Sequence, residues 1–185
     1  MEENIEYAQP QYNIRRLEKH ETVKSFDCGD ADLNDFILNE SPLYREELLA
    51  VSYVVEDSDD YRILSYFSLA NDRVSLSDFE NKTAFNRFRR HRFANEKRLK
   101  SYPAVKICRF GVDLSVKKQH LGTRIINFIK SYFIEDNKTG CRFITVDAYA
   151  AAIPFYLKNG FEPLTNNDEQ DATRLLYFDL NDIVD

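Results

Sequence analysis

From residue 104 to residue 161 the sequence runs twice through the same order: a β-forming stretch, then a helix-forming one. AVKICRFGV (104–112) is dense in β-branched and aromatic residues and reads as a central strand. After the polar loop DLSVKKQHL, the residues Leu121, Ile125, Phe128, Ile129 and Tyr132 fall on one face of a 3.6-residue period, so a helix begins near Leu121. It is expected to stop near DNKTG, with Gly140 following. FITVDAY (143–149) is a second buried-looking strand, and AAAIPFYLKNGF holds a short helix that ends at Gly160. One helix after each strand requires a mixed α/β fold.

The remainder of the chain fits around that unit. Residues 12–19 read as a first strand. A helix is expected over 31–40, where Leu33, Phe36 and Ile37 share a face and Asp30 is placed to cap the start. Pro42 should limit it, with a second helical segment at 42–49. LAVSYVV (49–55) and RILSYFSLA (62–70) flank the acidic turn EDSDDY and read as a β-hairpin. Residues 72–102 are polar and basic with some helical character, and TRLLYFDL (173–180) closes the sheet. No internal linker is visible, so residues 1–185 are expected to form one domain, with 1–11 as a flexible tail.

Composition removes several classes. A chain of 185 residues can bury a core without staples. No stretch approaches the roughly 20 apolar residues of a membrane helix. The start, MEENIEYAQPQYN, lacks the basic and apolar regions of a secretory signal. Three cysteines (Cys28, Cys108, Cys141) are too few and odd for a disulfide framework, which fits a reducing, cytoplasmic setting. With His20, His91 and His120 scattered, no metal-ligand spacing exists and no metal is expected. Five glycines and five prolines exclude collagen-like and low-complexity chains, and no repeat is present.

Charge is unevenly placed. RFRRHRFANEKRLK (87–100) carries a local +6, which leaves −12 for the remainder against a total of −6. An acidic protein has no general attraction for nucleic acid, yet a concentrated basic stretch attracts phosphates within a Debye length of about 8–10 Å.

The junction between the strand at 104–112 and the helix at Leu121 is the first chemical signal. A helix N-terminus leaves amide N–H groups unpaired, and they add to the helix dipole to favour an anion. Lys117 and Lys118 bring positive charge, and Gly122 lets a bulky phosphate come close. Any strand-to-helix junction offers part of this, so the signal alone is modest.

Combined with the second segment it becomes specific. VDLSVKKQHLGTRIINFIK and VDAYAAAIPFYLKNGFEPL resemble, in order and distance, the two motifs of the GNAT superfamily of acyl-CoA-dependent N-acetyltransferases. The first matches a pyrophosphate loop of form (Gln/Arg)-x-x-Gly-x-(Gly/Ala); the second matches an A…FYxxxGF segment. FDCGDADLNDFI (Phe26 to Ile37) resembles the FxCGxxxLxxFL signature of a subgroup that includes toxin acetyltransferases acting on aminoacyl-tRNA, and YPAVKICRFGVD resembles that subgroup's strand entry. The resemblance covers most of residues 12–180. It departs at Lys117, which replaces Gln or Arg, and at His120, which replaces the middle glycine. If the backbone needs a positive φ there, His is tolerated less well than Gly and better than a β-branched residue.

The resemblance implies a mostly antiparallel sheet of about six to seven strands, splayed at 104–112 and 143–149 and flanked by helices. It implies acetyl-CoA as acyl donor, held at Phe110, Val112, Lys117, Lys118, Gln119, His120, Leu121, Gly122 and Thr123. The Val112 N–H would bind the acetyl carbonyl and stabilise the developing oxyanion. Tyr156 would protonate the departing thiolate; a phenol near pKa ~10 facing a thiol near ~8.5 is a weak acid, so its effect should be modest. Taken without the resemblance, Tyr156 reads as a packed core aromatic.

No general base is evident. Asp113 and Asp147 are placed for one, and each also reads as a capping or turn residue. Near pH 7 an α-amine is roughly 14% neutral and a lysine about 0.04% neutral, which weakly favours an α-amine acceptor, on an aminoacyl-tRNA or a peptide N-terminus. Arg89, Arg90 and Arg92, interleaved with Phe88 and Phe93, are candidates for contact with RNA, or simply a solvated or dimer-facing surface. Cys28 and Cys108 read as buried packing residues; Cys141, His20 and His91 receive no catalytic role. A homodimer is compatible with the superfamily. Two other functions stay open: a degenerate acyl-CoA-binding regulatory module, supported by His120, and an RNA-binding protein on a borrowed fold, supported by the 87–100 stretch.

Overall fold

In the computed structural model the acidic turn at 56–60 folds on its own carboxylates. Asp57 Oδ1 accepts from the Asp59 N–H at 2.9 Å, Asp60 Oδ1 accepts from the Arg62 N–H at 3.0 Å, and the Asp57 N–H closes onto the Arg62 carbonyl at 2.9 Å. These short side chains offer local acceptors, which is why they favour turns. The turn joins β2 (Val51–Asp57) to β3 (Ile63–Ser75), neighbours in the sheet as the sequence predicts.

The structure describes residues 11–94, 98–135 and 139–183. The expected tail, except Gln11, and the core of the expected helix stop at DNKTG lie outside the described residues. The remaining elements are β1 (Tyr12–Arg16), α1 (Ala31–Asp35), a π-helical turn (Phe36–Glu40), α2 (Ser41–Glu46), α3 (Lys82–Arg92), β4 (Ser101–Val112), α4 (Leu121–Glu135), β5 (Phe143–Tyr149), α5 (Ile153–Lys158), β6 (Glu162–Pro163) and β7 (Thr173–Asp179). The strand order is β1-β2-β3-β4-β5-β7-β6. β1/β2, β5/β7 and β6/β7 are antiparallel, and β4/β5 is parallel. This is the mixed α/β, mostly antiparallel seven-stranded sheet that the resemblance implies.

Backbone contacts divide the chain into two compact units, Met1–Ser68 with Arg109–Gln119, and Leu69–Cys108 with His120–Asp185. The first unit packs Leu17, Val23, Phe26, Phe36, Ile37, Val54 and Tyr66 into one apolar cluster. Asp30 caps α1 by accepting from the Leu33 N–H at 3.0 Å, as its position predicts. The second helical segment expected from residue 42 is present as α2, joined to the first through the π-helical turn. Pro42 sits in the first turn of α2, directly after the π-helical turn, where the Ser41 N–H reaches the Phe36 carbonyl five residues back. The wider turn gives room to a ring that would crowd an ordinary helix and needs no N–H partner.

The second unit clusters Val74, Phe85, Phe88, Tyr102, Phe143, Leu164 and Tyr177. On α4 the buried positions are Leu121, Ile125, Ile126, Ile129 and Lys130, while Phe128 and Tyr132 of the expected stripe are half-buried and stack at 6.0 Å.

Candidate acetyl-transfer site

The FYLKNGF segment owes its form to a helix stop. Gly160, at φ +81°, lets the Gly160 N–H reach the Leu157 carbonyl (3.0 Å) and the Phe161 N–H reach the Tyr156 carbonyl (3.1 Å). This is the Schellman pattern, and its usual apolar contact is here the Tyr156–Phe161 ring pair at 5.3 Å. Lys130 of α4 secures the same corner. Its ammonium donates to the Asn159 carbonyl at 2.6 Å and lies over the Phe178 ring, 3.7 Å from the centroid. Sequence reasoning missed Lys130, because nothing local marks a lysine on an apolar helix face as a cap for another helix.

Tyr156 is buried, with 5% of its surface exposed. Burial pushes its hydroxyl far above the usual tyrosine value, and the hydroxyl has no hydrogen-bond partner among the described residues. It is a neutral donor at every physiological pH.

In the same unit, α4 begins directly after His120. The His120 backbone has φ +57°, the left-handed conformation that a glycine adopts freely. The Arg124 N–H is the first to return into the helix, to the His120 carbonyl at 3.2 Å. The amides of Leu121, Gly122 and Thr123 precede that bond, and a first helical turn leaves such donors without intrahelical acceptors. At the position where the resemblance expects a glycine, His120 thus takes a conformation that glycine favours.

The ladder between β4 and β5 covers Ala104↔Phe143, Val105↔Ile144 and Lys106↔Thr145. Both strands run on past it, β4 to Val112 and β5 to Tyr149. At its end Lys106 Nζ pairs with Asp147 Oδ2 at 2.5 Å. Asp147 is thus an ion-paired strand residue rather than a turn or cap.

In the first unit, β4 ends against the segment that carries the FDCG signature. The Asp113 N–H donates to the Leu64 carbonyl at 2.9 Å. Successive N–H groups of an extended strand point to opposite edges, so the Val112 N–H lies on the edge away from β3. Gly111 is fixed by crowding: a Cβ there would lie 2.9 Å from Tyr66 Cε1 and 3.1 Å from Phe26 Cε1. Ser65 Oγ holds the Gly111 carbonyl at 2.6 Å. The residue before Val112 is thus held by close packing and a side-chain hydrogen bond. Phe110, in the same strand, is half-buried.

Asp113 is the capping residue of the alternative reading. It accepts from the Ser115 N–H (2.9 Å), the Ser115 hydroxyl (2.6 Å) and the Asp27 N–H (3.2 Å). Burial works to raise its pKa, but hydrogen bonds from Ser115 and Asp27 outweigh it and hold the carboxyl below the ordinary range. Lys117 donates to the Cys28 carbonyl at 2.7 Å, whereas Lys118, at φ +77°, and Gln119 lie on the exposed loop.

The three candidate arginines of α3 part company. Arg92 lies 4.3 Å over the Phe88 ring, pairs with the buried Asp179 at 3.5 Å and donates to the Tyr177 hydroxyl. Arg89 donates to the Arg98 and Leu99 carbonyls at 3.3 and 3.1 Å. Arg90 alone of the three is exposed. The helical period decides this, since Arg89 and Arg92 follow Phe85 and Phe88 onto the packed face. Of the thiols, Cys28 is buried as expected, whereas Cys108 and Cys141 are half-buried; burial raises the Cys28 thiol and lifts Cys141 to about 11. Among the described residues no cluster of metal-ligating side chains occurs, and no helix is long and apolar enough to cross a membrane.

Residues 92–180 match the family described as Acetyltransferase (GNAT) domain. No curated protein matches the sequence. Among solved structures, a tyrosine-to-phenylalanine mutant of KacT is similar at TM-score 0.70 and 20% identity, covering 94% of this chain and 98% of that one. AtaT complexed with acetyl-methionyl-tRNAfMet is similar at TM-score 0.69 and 20% identity, covering 94% and 98%. AtaTR bound with AcCoA follows at TM-score 0.68 and 21% identity, covering 94% and 96%. At such identities the likeness carries the fold.

Proposed function

We propose, from the match of residues 92–180 to the GNAT acetyltransferase domain family, that the chain moves the acetyl group of acetyl-CoA to a primary α-amine, and that an aminoacyl-tRNA carries this amine. The observation that carries the donor half is the entry to α4, where His120 holds φ +57° and the amides of Leu121, Gly122 and Thr123 begin a 15-residue helix. Such a terminus suits a diphosphate. Gln119 and Lys118 flank it, and Lys117 contributes through the loop it ties rather than by direct charge.

The reaction needs no covalent enzyme intermediate. The lone pair of a neutral amine attacks the thioester carbon, a C–N bond forms, and the carbonyl oxygen gains negative charge. The Val112 N–H is assigned to that oxygen. The C–S bond then breaks, and Tyr156 donates a hydrogen bond to the departing sulfur while the surplus ammonium proton passes to solvent. With Asp113 capping a turn and Asp147 paired to Lys106, neither carboxylate is free to act as base. An acceptor that is partly neutral near pH 7 therefore suits this site better than a lysine side chain.

Similar folds solved with acetyl-methionyl-tRNA and with acetyl-CoA support this reading. A purely regulatory acyl-CoA module rested on the loss of a glycine at His120; the left-handed φ of His120, which a glycine would favour, speaks against that reading. The test is transfer of labelled acetyl from acetyl-CoA to a panel of aminoacyl-tRNAs, N-terminal peptides and Nα-blocked lysine. We expect label on one or more α-amines. Label confined to the blocked lysine, or absent throughout, would overturn the acceptor assignment. Sedimentation of the same preparation tests the expected homodimer.

A further inference from the structure

Lys130 is a costly residue to place on the apolar face of α4. It is 8% exposed, and no carboxylate pairs with it among the described residues. A buried cation without a counter-ion is unfavourable, and a methionine of similar length would fill the same space without that penalty. Its ammonium makes one hydrogen bond among the described residues, to the Asn159 carbonyl at 2.6 Å, at the end of α5. Helix-terminal carbonyls carry partial negative charge, which favours a cation there. The ammonium also faces two rings, Phe178 at 3.7 Å and Phe161 at 5.7 Å from the centroids. Gly160 leaves the room for it: a Cβ at that position would stand 3.9 Å from Lys130 Nζ and 3.3 Å from Phe178 Cε2.

Two of the groups that hold the ammonium lead to Tyr156. Asn159 closes α5 through its N–H to the Tyr156 carbonyl at 3.0 Å and its side-chain amide to the Phe155 carbonyl at 2.8 Å. Phe161 packs its ring against Tyr156 at 5.3 Å and against Phe178 at 5.6 Å. The Tyr156 hydroxyl has no hydrogen bond of its own among the described residues, so the aim of the phenol depends on its ring packing and on the turn it belongs to. Lys130 stands nine residues after Leu121 on α4, about 13 Å along the axis from the amides assigned to the diphosphate. We propose that Lys130 is a positioning residue for acetyl transfer: it ties the Tyr156 phenol to the helix that seats the donor, so that one helix sets the distance between phenol and thioester sulfur. The proposal deepens the function given above and rests on it. A displacement of ~1 Å near reacting groups can cost up to about 10²-fold in rate, which gives a buried lysine a purpose that packing does not.

The experiment is a double-mutant cycle of Lys130→Met and Tyr156→Phe, with Lys130→Gln in its place should Lys130→Met fail to fold. Melting temperature and the acetyl-CoA dissociation constant, read on each preparation, control for folding and donor binding. Lys130→Met should lower kcat about tenfold, change the dissociation constant by less than about threefold, and cost nothing further in the Tyr156→Phe background. Equal losses in both backgrounds would mark a purely structural role and overturn the proposal, as would unchanged kcat in folded Lys130→Met. Crystal structures of wild type and Lys130→Met with coenzyme A bound read the same link without turnover. The Tyr156 hydroxyl should move relative to the sulfur by more than about 0.5 Å, and an unmoved phenol would overturn the link. If the wild type acetylates no α-amine, a displaced phenol in the variant would leave the link standing and remove the acceptor. Transfer by the wild type, with equal losses and an unmoved phenol, would do the reverse.

Discussion

The ammonium of Lys117 donates to the backbone carbonyl of Cys28 at 2.7 Å, linking the loop after β4 to the FDCG turn before α1. The same two segments are joined by the Leu114 N–H to the Asp27 carbonyl (2.9 Å) and by the Asp27 N–H to Asp113. Asp27 Oδ1 meanwhile accepts from the Gly29 N–H and the Asn34 amide, both at 2.8 Å. The N-terminal signature is therefore a brace for the loop that leads to α4.

Removing the brace should show in stability before it shows in affinity. Lys117→Ala is expected to cost about 1 kcal/mol, the net worth of one part-buried hydrogen bond. Acetyl-CoA affinity should fall no more than about threefold. Calorimetry and titration on the same preparation separate the two. A tenfold affinity loss at constant melting temperature would place the ammonium on a phosphate instead.

His120 occupies a left-handed conformation that a β-branched residue resists. His120→Val should destabilise by about 1–2 kcal/mol, and His120→Gly should be neutral or slightly stabilising. Acetyl-CoA should bind the glycine variant at least as tightly as wild type. Marked weakening there would mean that the imidazole itself touches the donor.

Tyr156→Phe keeps the ring pair with Phe161 and deletes only the hydroxyl. Turnover should fall by up to about 10²-fold with little change in the acetyl-CoA dissociation constant. Since burial drives the phenol pKa upward, the wild-type rate should show no alkaline limb from this group below about pH 10. Turnover equal to wild type in Tyr156→Phe would end the proposed role.

Lys130 is buried, and burial lowers its pKa. Its unfolded value is ~10.4, so between the lower folded value and that point the unfolded state binds more protons. Stability attributable to this residue should therefore rise with pH across that window and level off above it. The difference in unfolding free energy between wild type and Lys130→Met, measured from pH 7 to 10.5, gives the sign. A flat difference would mean that the Asn159 carbonyl and the Phe178 ring fully compensate the buried charge.

What could be read from the sequence was local. The stripe from Leu121 to Ile129 gave α4, FITVDAY marked β5 over its full length, and Asp30 and Gly160 marked a helix start and stop. Each is set by side-chain period or by a backbone angle that one residue type favours, so neighbours in the chain suffice to reveal it. Pro42 marked the second helical segment, but nothing local shows that a π-helical turn joins it to the first.

The fate of the charged groups was decided by tertiary structure alone. Nothing near Lys117, Lys130, Asp147 or Arg92 in sequence names Cys28, Asn159, Lys106 or Asp179 as the partner. A long cationic side chain can reach solvent, a carboxylate, a carbonyl or a ring at similar free energy, and the choice depends on which of them packing brings within about 3 Å. The sequence alone determined the order of elements and the residue types at the helix entry; packing alone decided which cations remained free to meet a ligand.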